Sequence, residues 1–226
     1  MANHLDLEEQ EQIDQLKHFW NTWGTVISSI LVVVFGSVAL WNGYNFWQSR
    51  EALQASALLD AVQNSKKIDD KARLEQAFVD IRSKYASTTQ AAQSGLVAAK
   101  FEIEKNNPDA VQADLEWIAA HASDEGYKAI AQLRLASLLI EKKSYELAMK
   151  HLAGKFPVEF DAVVADRKGD VFSLQNKKQE AIAEYLQAYA KIIDRENYRR
   201  LLEVKLNALG VAPNTLVDLK LVGVNN

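Results

Sequence analysis

Residues 129–152 read AIAQLRLASLLIEKKSYELAMKHL, and residues 163–185 read VVADRKGDVFSLQNKKQEAIAEY. Laid over each other at an offset of 33 residues, the two stretches agree where packing is decided. Leu135-Ala136-x-x-Leu139 falls on Lys168-Gly169-x-x-Phe172. Ala148 and Ala181 follow the small residues Ala136 and Gly169 by twelve, and Leu152 and Tyr185 follow those alanines by four. Arg134 matches Arg167, and Ala188 adds a further small position in the second copy. A period of this length is a signature of stacked helical hairpins. Small residues let helix axes approach, and large ones fill the groove between layers.

A looser copy lies upstream. Leu96, Ala99, Val111 and Leu115 precede Leu133, Ala136, Ala148 and Leu152 by 37 residues. Periodicity and turn chemistry predict helices over 47–63, 69–85, 90–105, 109–121, 126–141, 144–154, 159–175, 178–192 and 195–208. Asn106-Asn107-Pro108 ends one helix and opens the next, since proline is tolerated at a helix start. Ser123-Asp124-Glu125-Gly126 is a turn with a capping residue. The links at Lys142-Lys143 and Asn176-Lys177 are short enough to demand antiparallel neighbours. The pattern is similar to the tetratricopeptide repeat, although that repeat's tryptophan position holds Gln132 and Ala165 here and its closing proline is absent. Helices 47–63 and 69–85 would form an earlier, more divergent pair, and helix 195–208 would cap the far end. A generic helical bundle with a coincidental period stays open as the alternative.

Before the repeats, no formal charge occurs between Lys17 and Arg50. Gly24 to Trp41 reads GTVISSILVVVFGSVALW. As a helix this stretch spans roughly 27 Å, close to the ~30 Å hydrocarbon core of a bilayer. Trp20 and Trp23 at one end, and Trp41, Tyr44 and Trp47 at the other, fit the two interfaces, where amphipathic rings are most stable. A buried core helix and a cleaved signal peptide compete with an uncleaved anchor. The signal-peptide reading suffers from a long acidic tail where a short basic one is needed. Charge bias leaves the orientation tied, with Lys17 on one side and Arg50 on the other. In the tail, Ile13, Leu16, Trp20 and Trp23 share one helical face. That face reads as a helix running into the span, or as a docking helix for a partner.

Composition excludes several chemistries. The chain of 226 residues has no cysteine, so thiolate metal sites and Cys nucleophiles are out. Residues 1–22 carry Asp6, Glu8, Glu9, Glu11 and Asp14 against Lys17, a net of −4, and the remainder balances at 25 of each sign. A balanced domain offers no footprint for nucleic acid. Phosphate-binding glycine loops, HExxH and nucleophile elbows are missing. His121 and His151 read as residues closing helix ends, and Glu102/Glu104 and Asp69/Asp70 as solvated pairs. No enzyme activity, cofactor, metal or small-molecule substrate is expected.

A repeat stack works through its surface. Placing Ala136 and Gly169 at the small position turns Leu133, Ser137, Asp166 and Asp170 toward the groove, with Leu96 and Lys100 from the looser copy. The mixture of apolar and acidic groups suits an extended or helical segment better than a C-terminal carboxylate. Equally, these side chains read as ordinary surface.

Acidic tail, aromatic-ended anchor and short repeat domain together resemble the YfgM family of proteobacteria, over essentially the whole chain. Ala165-Asp166-Arg167-Lys168-Gly169-Asp170 is similar to that family's A-D-x-x-G-[DE] segment. The resemblance implies a single-pass inner-membrane protein, ancillary to the SecYEG translocon, with a cytoplasmic N-terminus and periplasmic repeats. It also implies association with a PpiD-like chaperone and help for newly exported proteins. The fold class expected is all-α: one N-terminal transmembrane helix followed by a tetratricopeptide-like helical-hairpin solenoid. The segments are a cytoplasmic acidic tail (1–22), an anchor (23–46), a periplasmic repeat domain (47–210) and a C-terminal tail (211–226). Rival readings are a tethered scaffold for an envelope-assembly or division complex, an enzyme or small-ligand receptor, and a cytoplasmic repeat domain.

Overall fold

The computed structural model describes residues 7–192 and 196–212. Among them are nine α-helices, a 3₁₀ turn at Val158–Phe160 and no strand. The helices are α1 (Leu7–Lys67), α2 (Lys71–Lys84), α3 (Thr89–Glu104), α4 (Pro108–His121), α5 (Glu125–Glu141), α6 (Tyr145–Leu152), α7 (Asp161–Leu174), α8 (Lys178–Lys191) and α9 (Glu196–Ala208). The all-α class and the tetratricopeptide-like hairpins are as the repeat pattern predicts. The chain divides into two compact units, one ending at Glu51 and the other beginning at Ala52.

One boundary differs from the sequence reading, which separates the anchor from a helix at 47–63. The structure carries α1 through both without a break. No proline lies within it, and an interior glycine such as Gly36 or Gly43 costs only about 1 kcal/mol relative to alanine.

The second unit is built from four hairpins whose turns repeat. Asp69, Asn106, Lys143 and Asn176 each take a left-handed backbone, with φ of 59°, 55°, 57° and 60°. The residue after each donates its N–H back across the last helical turn, at 2.8–2.9 Å: Asp70 to Ser65 O, Asn107 to Glu102 O, Ser144 to Leu139 O and Lys177 to Phe172 O. This pair of features closes a helix and satisfies its last carbonyls. The next helix then starts on a side-chain cap in two of the four, where Asp70 accepts from Arg73 N and Asn107 from Ala110 N. Thr88 and Asp124 cap α3 and α5 in the same way.

The turn positions show that the pair formed by the end of α1 with α2 keeps the register of the others. Val62, Leu74, Phe78 and Ile81 stand 37 residues before Ala99, Val111, Leu115 and Ile118, and all eight are buried. Larger residues at the small positions hide this copy from a reading keyed to alanine and glycine.

The core runs along the stack in three clusters. Ala55, Leu59 and Val62 of α1 pack with Leu74, Phe78 and Ile81 of α2 and Phe101 of α3. Leu115, Ile118, Leu135, Leu139 and Leu152 fill the middle. Tyr185, Tyr189, Leu202 and Leu206 fill the far end. The first helices of successive hairpins touch, α3 with α5 and α5 with α7, and α9 packs on α8.

Candidate interaction surfaces

The six groove positions expected from the repeats lie on α3, α5 and α7, which are neighbours, but only some of them are open. Lys100 is exposed, and Leu96 and Ser137 are half-buried, with Ser137 Oγ donating to Leu133 O at 3.0 Å. Leu133 is 9% exposed and belongs to the core. The exposed apolar residues Ile103 and Leu174, at the ends of α3 and α7, were not among the expected groove residues. Their signal was a position one turn beyond Ala99 for Ile103 and one turn beyond Asp170 for Leu174.

Asp166 corrects the expectation of an acidic open groove. Its exposure is 0%, and the closing helix α9 covers it. Tyr198 Oη donates to Asp166 Oδ2 at 2.8 Å, and Lys205 Nζ donates to Oδ1 at 2.6 Å. Asp170, half-buried beside it, accepts from Lys205 Nζ at 2.6 Å, from Tyr185 Oη at 2.8 Å and from Arg167 Nη1 at 2.9 Å. A buried carboxylate requires this degree of pairing. Burial, and then the bond to Asp170, push the Tyr185 phenol above its ordinary value. Burial, and then the bond to Asp166, do the same to Tyr198. Both phenols therefore remain donors. Burial would lower the Arg167 guanidinium, but its bond to Asp170 and the charges of both carboxylates outweigh this and raise it. The acidic pair of the last hairpin is the seat of α9.

A second polar cluster joins α2, α3 and α4. Glu102, read from the sequence as solvated, is 4% exposed. It accepts from Asn107 Nδ2 at 2.8 Å and pairs with Lys71 Nζ at 3.1 Å. The bond to Glu102 holds the Lys71 ammonium above its ordinary value. Burial first, and then the charge of Glu102, push the half-buried Asp114 carboxyl up to about 7, against the pull of Arg82. At the end of α4, His121 stacks on Trp117 with ring centroids 5.2 Å apart. Among the described residues, no group of three or more His, Asp or Glu is placed to hold a metal.

In the first unit, α1 is long and apolar enough to cross a membrane and almost none of its apolar window is buried. Trp20, Trp23, Trp41, Tyr44 and Trp47 are all exposed on it. Three hydroxyls in and beside the span are satisfied within the helix. Thr22 Oγ1 donates to His18 O, Ser29 Oγ to Thr25 O and Ser37 Oγ to Val33 O, at 2.7–2.9 Å. Such back-bonding removes the cost of placing a hydroxyl in hydrocarbon.

The family description "tetratricopeptide repeat-like domain" matches residues 17–211. A protein of Neisseria gonorrhoeae named ancillary SecYEG translocon subunit is 30% identical over 213 residues, covering 92% of this chain and 100% of that protein. Proteins of the same name match from Haemophilus influenzae, at 29% over 90% of this chain and 98% of theirs, and from Escherichia coli, at 24% over 90% and 97%. No solved structure matches the chain.

Proposed function

The chain belongs to the tetratricopeptide repeat-like YfgM family, and from that membership we propose that it is a non-enzymatic ancillary subunit of the SecYEG translocon. The observation that carries this reading is the end-to-end match to relatives of that name, coupled to a single apolar helix preceding the repeats. In this reading residues 23–46 anchor the chain in the inner membrane, residues 1–22 lie in the cytoplasm, and the repeats over 47–210 lie in the periplasm, followed by the tail at 211–226. Residues 213–226 of that tail fall outside the described residues.

The mechanism is tethering. Holding the repeats beside the translocon exit raises their effective concentration toward an emerging chain or a PpiD-like chaperone, converting a second binding event into an intramolecular one. The open part of the groove, around Leu96, Lys100 and Ser137, is the proposed seat for a partner segment. Asp166 and Asp170 are excluded from it by α9.

The test is purification of the tagged full-length protein from membranes in mild detergent, followed by mass spectrometry. Recovery of SecY, SecE and SecG with a PpiD-like chaperone is expected. Recovery of an envelope-assembly or division complex without translocon subunits overturns the reading. Protease added to spheroplasts should digest the repeats and spare the tail, and the reverse pattern refutes the topology.

A further inference from the structure

Residues 11–23 of α1 carry an apolar face that is left exposed among the described residues. Ile13, Leu16, Phe19, Trp20 and Trp23 recur at helical spacing on one side, and Ile13 and Leu16 are 39% and 67% exposed. Glu11, Asp14, His18 and Asn21 fall on the opposite side by the same geometry. Lys17 bonds only to Asp14, one turn back, among the pairs in this segment.

The bilayer cannot cover the Ile13 and Leu16 end of this face. The apolar run of the span begins at Gly24, so Leu16 and Ile13 stand roughly 12 and 16 Å further along a helix rising 1.5 Å per residue. The headgroup layer on each side is only about 5–8 Å thick. Because α1 continues unbroken through this stretch, the two residues project beyond the lipids. The segment is also poorly suited to lying flat on the surface. Helices that do so are basic on their polar face, whereas residues 1–22 carry a net charge of −4. Anionic lipid repels such a segment. A second copy would bring the same −4 to the contact.

We propose that Ile13 and Leu16 dock, as part of a helix, into an apolar groove of a partner protein whose rim is basic. The occupant is thus a protein with Lys and Arg flanking an apolar cleft close to the membrane surface. Apolar burial supplies the contact, and the acidic charge of the tail supplies steering and selectivity. This holds on whichever side of the membrane the tail lies, so it does not depend on the export reading.

The experiment uses the full-length protein in its native membranes, with the photo-crosslinking residue benzoylphenylalanine replacing Leu16 and, separately, His18 on the opposite face. The expected result is one polypeptide adduct from position 16, about fivefold or more stronger than from position 18, mapping to a segment of net positive charge. Neutralising the tail with Glu11→Gln and Asp14→Gln should lower the adduct about threefold. Salt at about 0.5 M, which shortens the screening length to a few ångströms, should lower it comparably. Adducts to lipid, to a second copy of this chain or equally from both positions overturn the proposal, as does a yield indifferent to neutralisation. An adduct on a basic segment of a protein outside the translocon sustains this inference while removing the export reading. Co-purification of SecYEG with no adduct at position 16 does the opposite.

Discussion

The middle hairpin, α5 with α6, and the last, α7 with α8, share one register and differ in chemistry. Leu133 corresponds to Asp166, Ser137 to Asp170, Ala136 to Gly169 and Leu152 to Tyr185, each 33 residues apart. In the middle copy Leu133, Ala136 and Leu152 serve apolar packing, and Ser137 bonds only back to Leu133 O. In the last copy the element packed next among the described residues is a single helix, α9, which must be held. Two leucines, Leu202 and Leu206, supply its fully buried apolar contact, and the carboxylate pair supplies the rest. A backbone period therefore specifies where a side chain sits without specifying what meets it.

The largest predicted effect comes from forcing the last copy to resemble the middle one. Asp166→Leu restores the residue of the equivalent position but leaves Lys205 with Asp170 alone and the Tyr198 hydroxyl without its acceptor. Removing one member of a buried ion pair typically costs about 3–5 kcal/mol, and we expect about 3 kcal/mol in denaturant unfolding of the full-length protein. Adding Lys205→Met, which removes the ammonium that has lost one of its two carboxylates and leaves Asp170 to Arg167, should recover part of that loss. If Asp166→Leu alone is neutral, the carboxylate is not what seats α9.

Next is the small position. A Cβ built on Gly169 would lie 2.5 Å from the Tyr185 ring, whereas Ala136 faces the shorter Leu152 in the same register. Gly169→Ala should therefore cost about 2 kcal/mol through overpacking. Tyr185→Leu should be partly compensating in the double variant, leaving a coupling of about 1 kcal/mol in a double-mutant cycle. Additive losses would show that glycine and tyrosine are not matched to each other.

Much of this was legible beforehand because helices, caps and the 33-residue period are local or nearly local signals. The predicted spans 69–85, 109–121 and 178–192 each lie within two residues of α2, α4 and α8. The continuity of α1 was less visible, since the change from apolar to polar near Trp47 resembles a boundary while the backbone has no reason to stop. The burial of Asp166 and Glu102 was not legible at all. Both sit on helix faces that periodicity marks as groove or solvent. Only the tertiary approach of α9 to one, and of Lys71 and Asn107 to the other, decides their environment. The left-handed turns offered a signal that went unused, because Asp69, Asn106, Lys143 and Asn176 recur at 37, 37 and 33 residues.

Equivalent positions on the second helices sharpen the comparison through pH. Asp114 of α4 stands 37 residues before His151 of α6. Burial is the leading cause of both shifts, raising the acid and lowering the base, so each is driven toward its neutral form. Their linkages run oppositely. The folded state holds a proton on Asp114 that the unfolded chain releases, so its contribution to stability is fully present below about pH 4 and is lost as pH rises to about 7. His151 contributes stability that is lost as pH falls through its ordinary range. Asp114→Asn should abolish the loss between pH 4 and 7, a gain of about 1–2 kcal/mol at pH 8 after allowing for solvent screening of a half-buried group. A pH profile of unfolding unchanged by this substitution would remove Asp114 as its source.

The smallest effect separates the two causes acting on Asp114. Glu102, after burial, is what raises this carboxyl, and it occupies the position that Leu139 holds one hairpin later. Glu102→Gln keeps the size and one acceptor for Asn107 while deleting the charge. Burial of Asp114 is untouched, so its midpoint should fall only part of the way toward the ordinary value, by about one unit or less. The Lys71 ammonium, raised chiefly by Glu102, should fall in the same variant. Carboxyl and ammonium NMR titrations of the folded protein measure both. A midpoint for Asp114 that does not move would remove Glu102 as a cause of its shift, and would reduce the role of Glu102 in the α2–α3–α4 cluster to its pairing with Lys71 and Asn107.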